Sequence, residues 1–178
     1  MYPEIAPDVK DWTWVLQRRC AECGFDVTAL DATLVAGLIR DNGAQWHEIL
    51  QAPPDDLRRR DRADRWTTLE YAAHVRDVFR RYDERLVLML QITDPLFENW
   101  DQDATARDER YNEQEPLAVA NEVVEAASRL ADGFDRVSGD QWQRTGRRSD
   151  GAHFTIETFA RYLIHDPVHH IWDVTSGG

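Results

Sequence analysis

The chain has 178 residues, 42% of them hydrophobic and seven of them Trp, which is enough for one domain with a large core and no disulfide or metal staples. Its 21 basic and 33 acidic residues leave a net charge of −12, and every basic residue but Lys10 is arginine, a balance that excludes the basic face of a nucleic-acid binder. Mean hydropathy of −0.62 and short apolar runs argue against a membrane span, and the opening MYPEIAPDVKDW lacks the regions of a secretion signal, so a cytoplasmic protein is expected.

In chain order, residues 1–26 read as an arm packed on a domain spanning 27–178. The arm carries Cys20-Ala-Glu-Cys23. A C-x-x-C pair reads as a redox pair, half of a zinc site or two packed thiols, and no second C-x-x-C completes a four-cysteine site. A first helix is predicted over 27–50, where Leu30, Leu34, Leu38 and Ile49 line one face and Pro53-Pro54 stops it. A second is predicted over 67–92. Thr67 and Glu70 have capping-box spacing, and Ala72, Val75, Phe79, Tyr82, Leu86 and Met89 form a stripe at steps of three and four.

Residues 93–115 hold eight acidic residues with Phe97, Trp100 and Tyr111 among them, so this connection is expected to fold back onto the helices. Pro116 suits the first turn of a third helix running to about 137. A second long connection, 138–154, contains Trp142, Arg144, Arg147 and Arg148, and reads as a binding element or a solvated surface. The last predicted helix, from Thr155 to about Val174, contains Pro167, which predicts a kink that displaces Asp166. The fold class is therefore all-α: a four-helix bundle with an N-terminal arm and two long connecting loops.

Histidines carry the chemistry. His165 and His169, four apart on the last helix, project from one face and could chelate one metal. His74, beside the core residue Val75, is the natural third ligand from another helix. Asp166, Asp173 and Asp77 could hold such imidazoles as hydrogen-bonding carboxylates, and Trp172 could wall the pocket. The plain alternative is a set of core histidines bonded to carboxylates. His47 and His153 read as capping and surface residues, and His170 points about 100° away from its neighbour His169. Three imidazoles leave coordination positions open, as in a catalytic site, and imidazole suits zinc, nickel and iron alike. No nucleophile-elbow, P-loop or dinucleotide-binding motif is present.

The run from Trp66 to Asp77 around His74, followed by His165-Asp166-x-x-His169-His170-x-x-Asp173-Val174, resembles the DinB-like family of metal-binding four-helix bundles. That family includes mycothiol-dependent maleylpyruvate isomerases and thiol S-transferases. The resemblance implies a divalent metal, zinc first and nickel or iron as alternatives, on His74, His165 and His169. It further implies a low-molecular-weight thiol such as mycothiol acting on a small electrophile, and a homodimer. The metal would turn the thiol into a nucleophile at neutral pH, and Arg144, Arg147 and Arg148 could receive its carboxylates. A non-catalytic stress or sensing bundle and a metal-dependent hydrolase are the rival functions.

Overall fold

The computed structural model describes residues 11–176. Residues 1–10, which carry Lys10 and the start of the expected arm, and residues 177–178 lie outside that range. The described residues form six α-helices: α1 (Val35–Ile49), α2 (Pro54–Leu57), α3 (Thr68–Gln91), α4 (Gln102–Asp108), α5 (Pro116–Asp135) and α6 (Ile156–Thr175). Short 3-10 turns at Trp12–Leu16, Ala32–Leu34, Tyr111–Glu113 and Gly139–Gln143 complete the helical structure.

Where helices start follows from local hydrogen bonding. At α3 the Thr67 hydroxyl accepts from the Glu70 N–H at 3.2 Å, and the Glu70 carboxylate accepts from the Thr67 N–H at 2.7 Å, as the capping-box spacing predicts. Thr155 and Thr158 cap α6 in the same reciprocal way. The first helix begins at Val35 rather than at 27. Asp26 and Asp31 explain the difference, because each carboxylate accepts from the backbone N–H two residues on, at Thr28 and Thr33. Such local turns compete with helix. Pro167 does not interrupt α6, which runs unbroken from 156 to 175, and Asp166 stays helical. The Pro167 carbonyl accepts from Asn42 Nδ2 at 2.9 Å, which ties α6 to α1.

The bundle is a ring in which α1 packs on α5, α5 on α3, α3 on α6 and α6 on α1. The connections from α1 to α3 and from α5 to α6 therefore cross diagonals of the ring. Trp46, Phe79, Leu130 and Phe159 fill the middle. Gly43 lets α1 approach α5 closely, since a Cβ there would lie 2.8 Å from the Ala127 methyl.

Both expected loops fold onto this ring. In the second, Thr145–Arg147 (β1) and His153–Thr155 (β2) pair antiparallel, with Gly146 opposite Phe154. This hairpin lacks sequence periodicity because each strand has only three residues. The first loop joins it: Phe97 donates its backbone N–H to the Arg147 carbonyl at 2.8 Å, and the Phe97 ring presses on Gly146 where a side chain would sit. Among the described residues, no helix is long and apolar enough to cross a membrane.

Candidate metal centre

The histidine-rich turns of α6 present two i,i+4 pairs one residue apart, and the structure sends them to different partners. His74 from α3 meets Asp166 and His170, whereas His165 and His169 meet Cys20 and Cys23. Within each group one ligand atom per residue lies within 4.8 Å of all the others. The expected set of His74, His165 and His169 is thus divided. Successive helical residues are about 100° apart, so the rotation of α6 decides which pair faces α3. Asp166, expected behind a ligand, and His170, expected to point elsewhere, take that place.

The first group has the marks of a cation site. His74 is 1% exposed, and neither of its ring nitrogens has a hydrogen-bond partner; nor does the buried Oδ2 of Asp166. Buried polar atoms without partners are costly and rare. His74 Nε2 stands 3.5 Å from Asp166 Oδ2 without hydrogen-bond geometry, and His170 Nε2 stands 3.5 Å from Asp166 Oδ1. These separations match the ~3.4 Å between two N or O ligands on one tetrahedral metal. The ring of Trp100, from the acidic loop, stacks on His74 with centroids 5.6 Å apart, and Trp66 packs edge-on at 4.9 Å. The residues therefore fit a divalent ion held by two imidazoles and a carboxylate.

Behind the ligands, the Asp173 carboxylate accepts from His170 Nδ1 at 2.9 Å, which fixes the tautomer that leaves Nε2 facing Asp166. Arg65 braces Asp173 at 3.3 Å. Burial alone would lower the His170 pKa, but the facing Asp166 and Asp173 carboxylates outweigh it and raise the group to about 9. Burial would likewise raise Asp166, yet the His170 and His74 imidazoles hold its carboxyl well below the usual carboxylate value. At neutral pH the metal-free site thus carries a proton on His170 that an incoming cation must displace.

Metal binding at this site is expected to release close to one proton at pH 7. Apparent affinity should rise about tenfold per pH unit up to about pH 9, because the competing proton becomes scarcer. Calorimetric titration in buffers of different ionisation heat, on the Cys20→Ser/Cys23→Ser variant so that thiol protons do not contribute, measures this directly. Proton-independent binding would remove His170 from the ligand set.

Asp166, His170 and Asp173 line a cleft of about 620 Å3 between the α3–α6 face, the acidic loop and the hairpin. Its walls include Tyr71, Tyr82, Arg85, Trp100, Arg148 and Tyr162. Arg85 is 8% exposed, and its guanidinium lies over the rings of Tyr82 and Phe97 with no carboxylate partner among the described residues. It donates a hydrogen bond to the Glu98 carbonyl at 3.3 Å. Burial lowers its pKa, and the charge of Arg148 adds to that.

Of the arginines expected to bind substrate, Arg148 alone lines the cleft, paired with Asp150 and donating to the Tyr162 hydroxyl at 2.7 Å. Arg144 instead donates to the Met89 and Ile92 carbonyls at the end of α3, and Arg147 pairs with Asp94 at 2.8 Å. Both hold the hairpin in place. Trp172 packs on His169 with ring centroids 5.3 Å apart and is not a cleft wall. Asp77 is also displaced from its expected role: it binds Arg76 and the Tyr111 hydroxyl, not a histidine. Arg85 carried no sequence signal, because an arginine on a helix is normally a solvated charge.

The second group lies on the neighbouring face of α6. Cys20 Sγ is 3.8 Å from His169 Nδ1, and Cys23 Sγ is 3.6 Å from His165 Nε2. Both thiols are free. Burial lowers His165 to about 4, and burial also lowers His169.

A model of the DinB superfamily matches residues 30–174, and the chain belongs to that superfamily. A solved structure, described as "YfiT from Bacillus subtilis is a probable metal-dependent hydrolase with an unusual four-helix bundle topology", is similar with a TM-score of 0.73 at 16% identity. The match covers 82% of this chain and 86% of that one, and shows a common fold. No curated protein matches the chain.

Proposed function

We propose that the chain is a divalent-metal-dependent enzyme whose metal is held by His74, Asp166 and His170. The observation that carries this is the convergence of three ligands, with orphaned buried atoms on two of them, at the edge of a cleft. When bound there, a divalent metal supplies Lewis acidity that makes a coordinated thiol or water nucleophilic at neutral pH. The remaining chemistry belongs to this chain. Asp173 orients His170, Trp66 and Trp100 keep water from His74, and Arg85 offers an unpaired cation to a substrate carboxylate.

The reading we favour is transfer of a low-molecular-weight thiol to a small electrophile, or isomerisation assisted by that thiol. A cleft of about 620 Å3 has room for both substrates, and Arg85 suits the carboxylate of either. Hydrolysis is the second reading. Two imidazoles and a carboxylate recur in zinc hydrolases, and the similar bundle from Bacillus subtilis is described as a probable metal-dependent hydrolase.

Metal-loaded protein assayed with a chromogenic aryl electrophile and mycothiol, bacillithiol or glutathione tests the choice. Thiol-dependent turnover that chelation abolishes is expected with at least one thiol. Ester or amide hydrolysis that proceeds equally with and without thiol would overturn the transfer reading in favour of hydrolysis.

A further inference from the structure

The group on the face of α6 next to the proposed catalytic metal is complete in itself. Cys20 and Cys23 are spaced C-x2-C and His165 and His169 are spaced H-x3-H, so the fold joins two half-sites about 140 residues apart. We propose that Cys20, Cys23, His165 and His169 bind a structural zinc ion that fastens the N-terminal segment to α6.

Geometry favours this over plain packing. Zinc with Zn–S of about 2.3 Å and Zn–N of about 2.05 Å has a tetrahedral S···N edge of ~3.6 Å. The two sulfur–nitrogen distances are 3.6 and 3.8 Å, and all four ligand atoms lie within 4.8 Å of one another. Two thiolates also neutralise the ion, which suits a buried place: Cys20 is 1%, His165 3% and His169 6% exposed.

The surroundings are those of a metal ligand set. The other ring nitrogen of His169, Nε2, faces Glu22 at 3.6 Å and Asp173 at 3.9 Å, an outer carboxylate pair that favours Nδ1 as the ligating atom. The cysteines sit on a tight backbone loop. Cys20 N–H donates to the Phe25 carbonyl, and Gly24 N–H donates to the Cys20 carbonyl, both at 3.0 Å. Gly24 turns this loop at a φ of +74° that disfavours other residues. Trp12 covers both histidine rings at 5.3–5.5 Å and shields the group from water.

Four protein ligands leave no open position, so this ion is structural rather than catalytic. Its effect reaches the cleft, because Trp12 and Glu22 from the fastened segment are among the cleft walls. The inference stands apart from the function proposed above, since neither His74 nor His170 takes part.

The test uses the full chain carrying His74→Ala and His170→Ala, purified without added metal. About one zinc per chain is expected to remain. Cobalt substituted into this variant should show thiolate-to-cobalt charge-transfer absorption in the near ultraviolet. Adding Cys20→Ser and Cys23→Ser should abolish both signals. If that variant fails to fold, the cobalt spectrum of the His74→Ala/His170→Ala protein decides alone. Absence of the charge-transfer band from that folded protein overturns the site. Recovery of Cys20 and Cys23 as a disulfide in freshly purified, unreduced protein also overturns it.

Discussion

His170→Ala is expected to lower both metal affinity at the cleft and turnover by at least about 100-fold, while leaving the helical fold intact. Losing even an outer hydrogen-bond partner of a metal ligand costs about 10–100-fold, and His170 is a ligand in the proposed set. Its Nε2 faces Asp166 at 3.5 Å and its Nδ1 is held by Asp173 at 2.9 Å, so alanine removes a ligand and leaves Asp166 to His74 and Asp173 to Arg65. His74→Ala should behave alike. His165→Ala acts on the cysteine-containing group, and its main effect should be a lower melting temperature. Metal analysis, equilibrium metal titration and steady-state rates on the three variants separate these outcomes. Full activity and metal content in His170→Ala, with both lost in His165→Ala, would reinstate the set of His74, His165 and His169.

Asp77→Ala is expected to destabilise the protein by about 3 kcal/mol without changing metal content, because Asp77 serves the bundle rather than the site. Arg76, 5% exposed, donates to both Asp77 oxygens at 2.8 and 3.0 Å, and the Tyr111 hydroxyl donates to Asp77 at 2.6 Å. Alanine leaves a buried guanidinium short of its closest counter-charge, although Gln114 and Glu122 still bind it. For a chain of this size the melting temperature should fall by ~6–12 °C. Burial would raise the Asp77 pKa, but the Arg76 and Tyr111 hydrogen bonds overcome it and lower the group. Its contribution is therefore present above the unfolded carboxylate value and is lost as pH falls through the folded one. Thermal unfolding of metal-loaded parent and variant checks the result. A variant with normal stability and lost metal would return Asp77 to the site.

Much of the architecture was legible in particular residues. The Thr67–Glu70 capping box and the stripe from Ala72 to Met89 specify α3 to within a residue at each end. Pro116 at the first turn marks the start of α5. These signals are local, set by backbone hydrogen bonds and by side chains three or four residues apart. The start of α1 was misread because leucine spacing suggested helix where Asp26 and Asp31 make local turns. The hairpin and the anchoring roles of Arg144 and Arg147 gave no signal, since their partners Asp94, Met89 and Ile92 lie about 50 residues away in sequence.

Composition and local pattern suffice for an acidic bundle of four amphipathic helices and for the inventory of ligands: one histidine on α3, a histidine-rich last helix and a C-x-x-C arm. How those ligands are shared out is not a local property. Asp166–His170 and His165–His169 have identical spacing on α6 and differ only by about 100° of rotation. That rotation is set by burial of Phe159, Leu163 and Ile164 against the other helices, a sum of long-range contacts that no local pattern records. The tertiary structure thereby placed His170 opposite His74 and brought His165 and His169 to the cysteines.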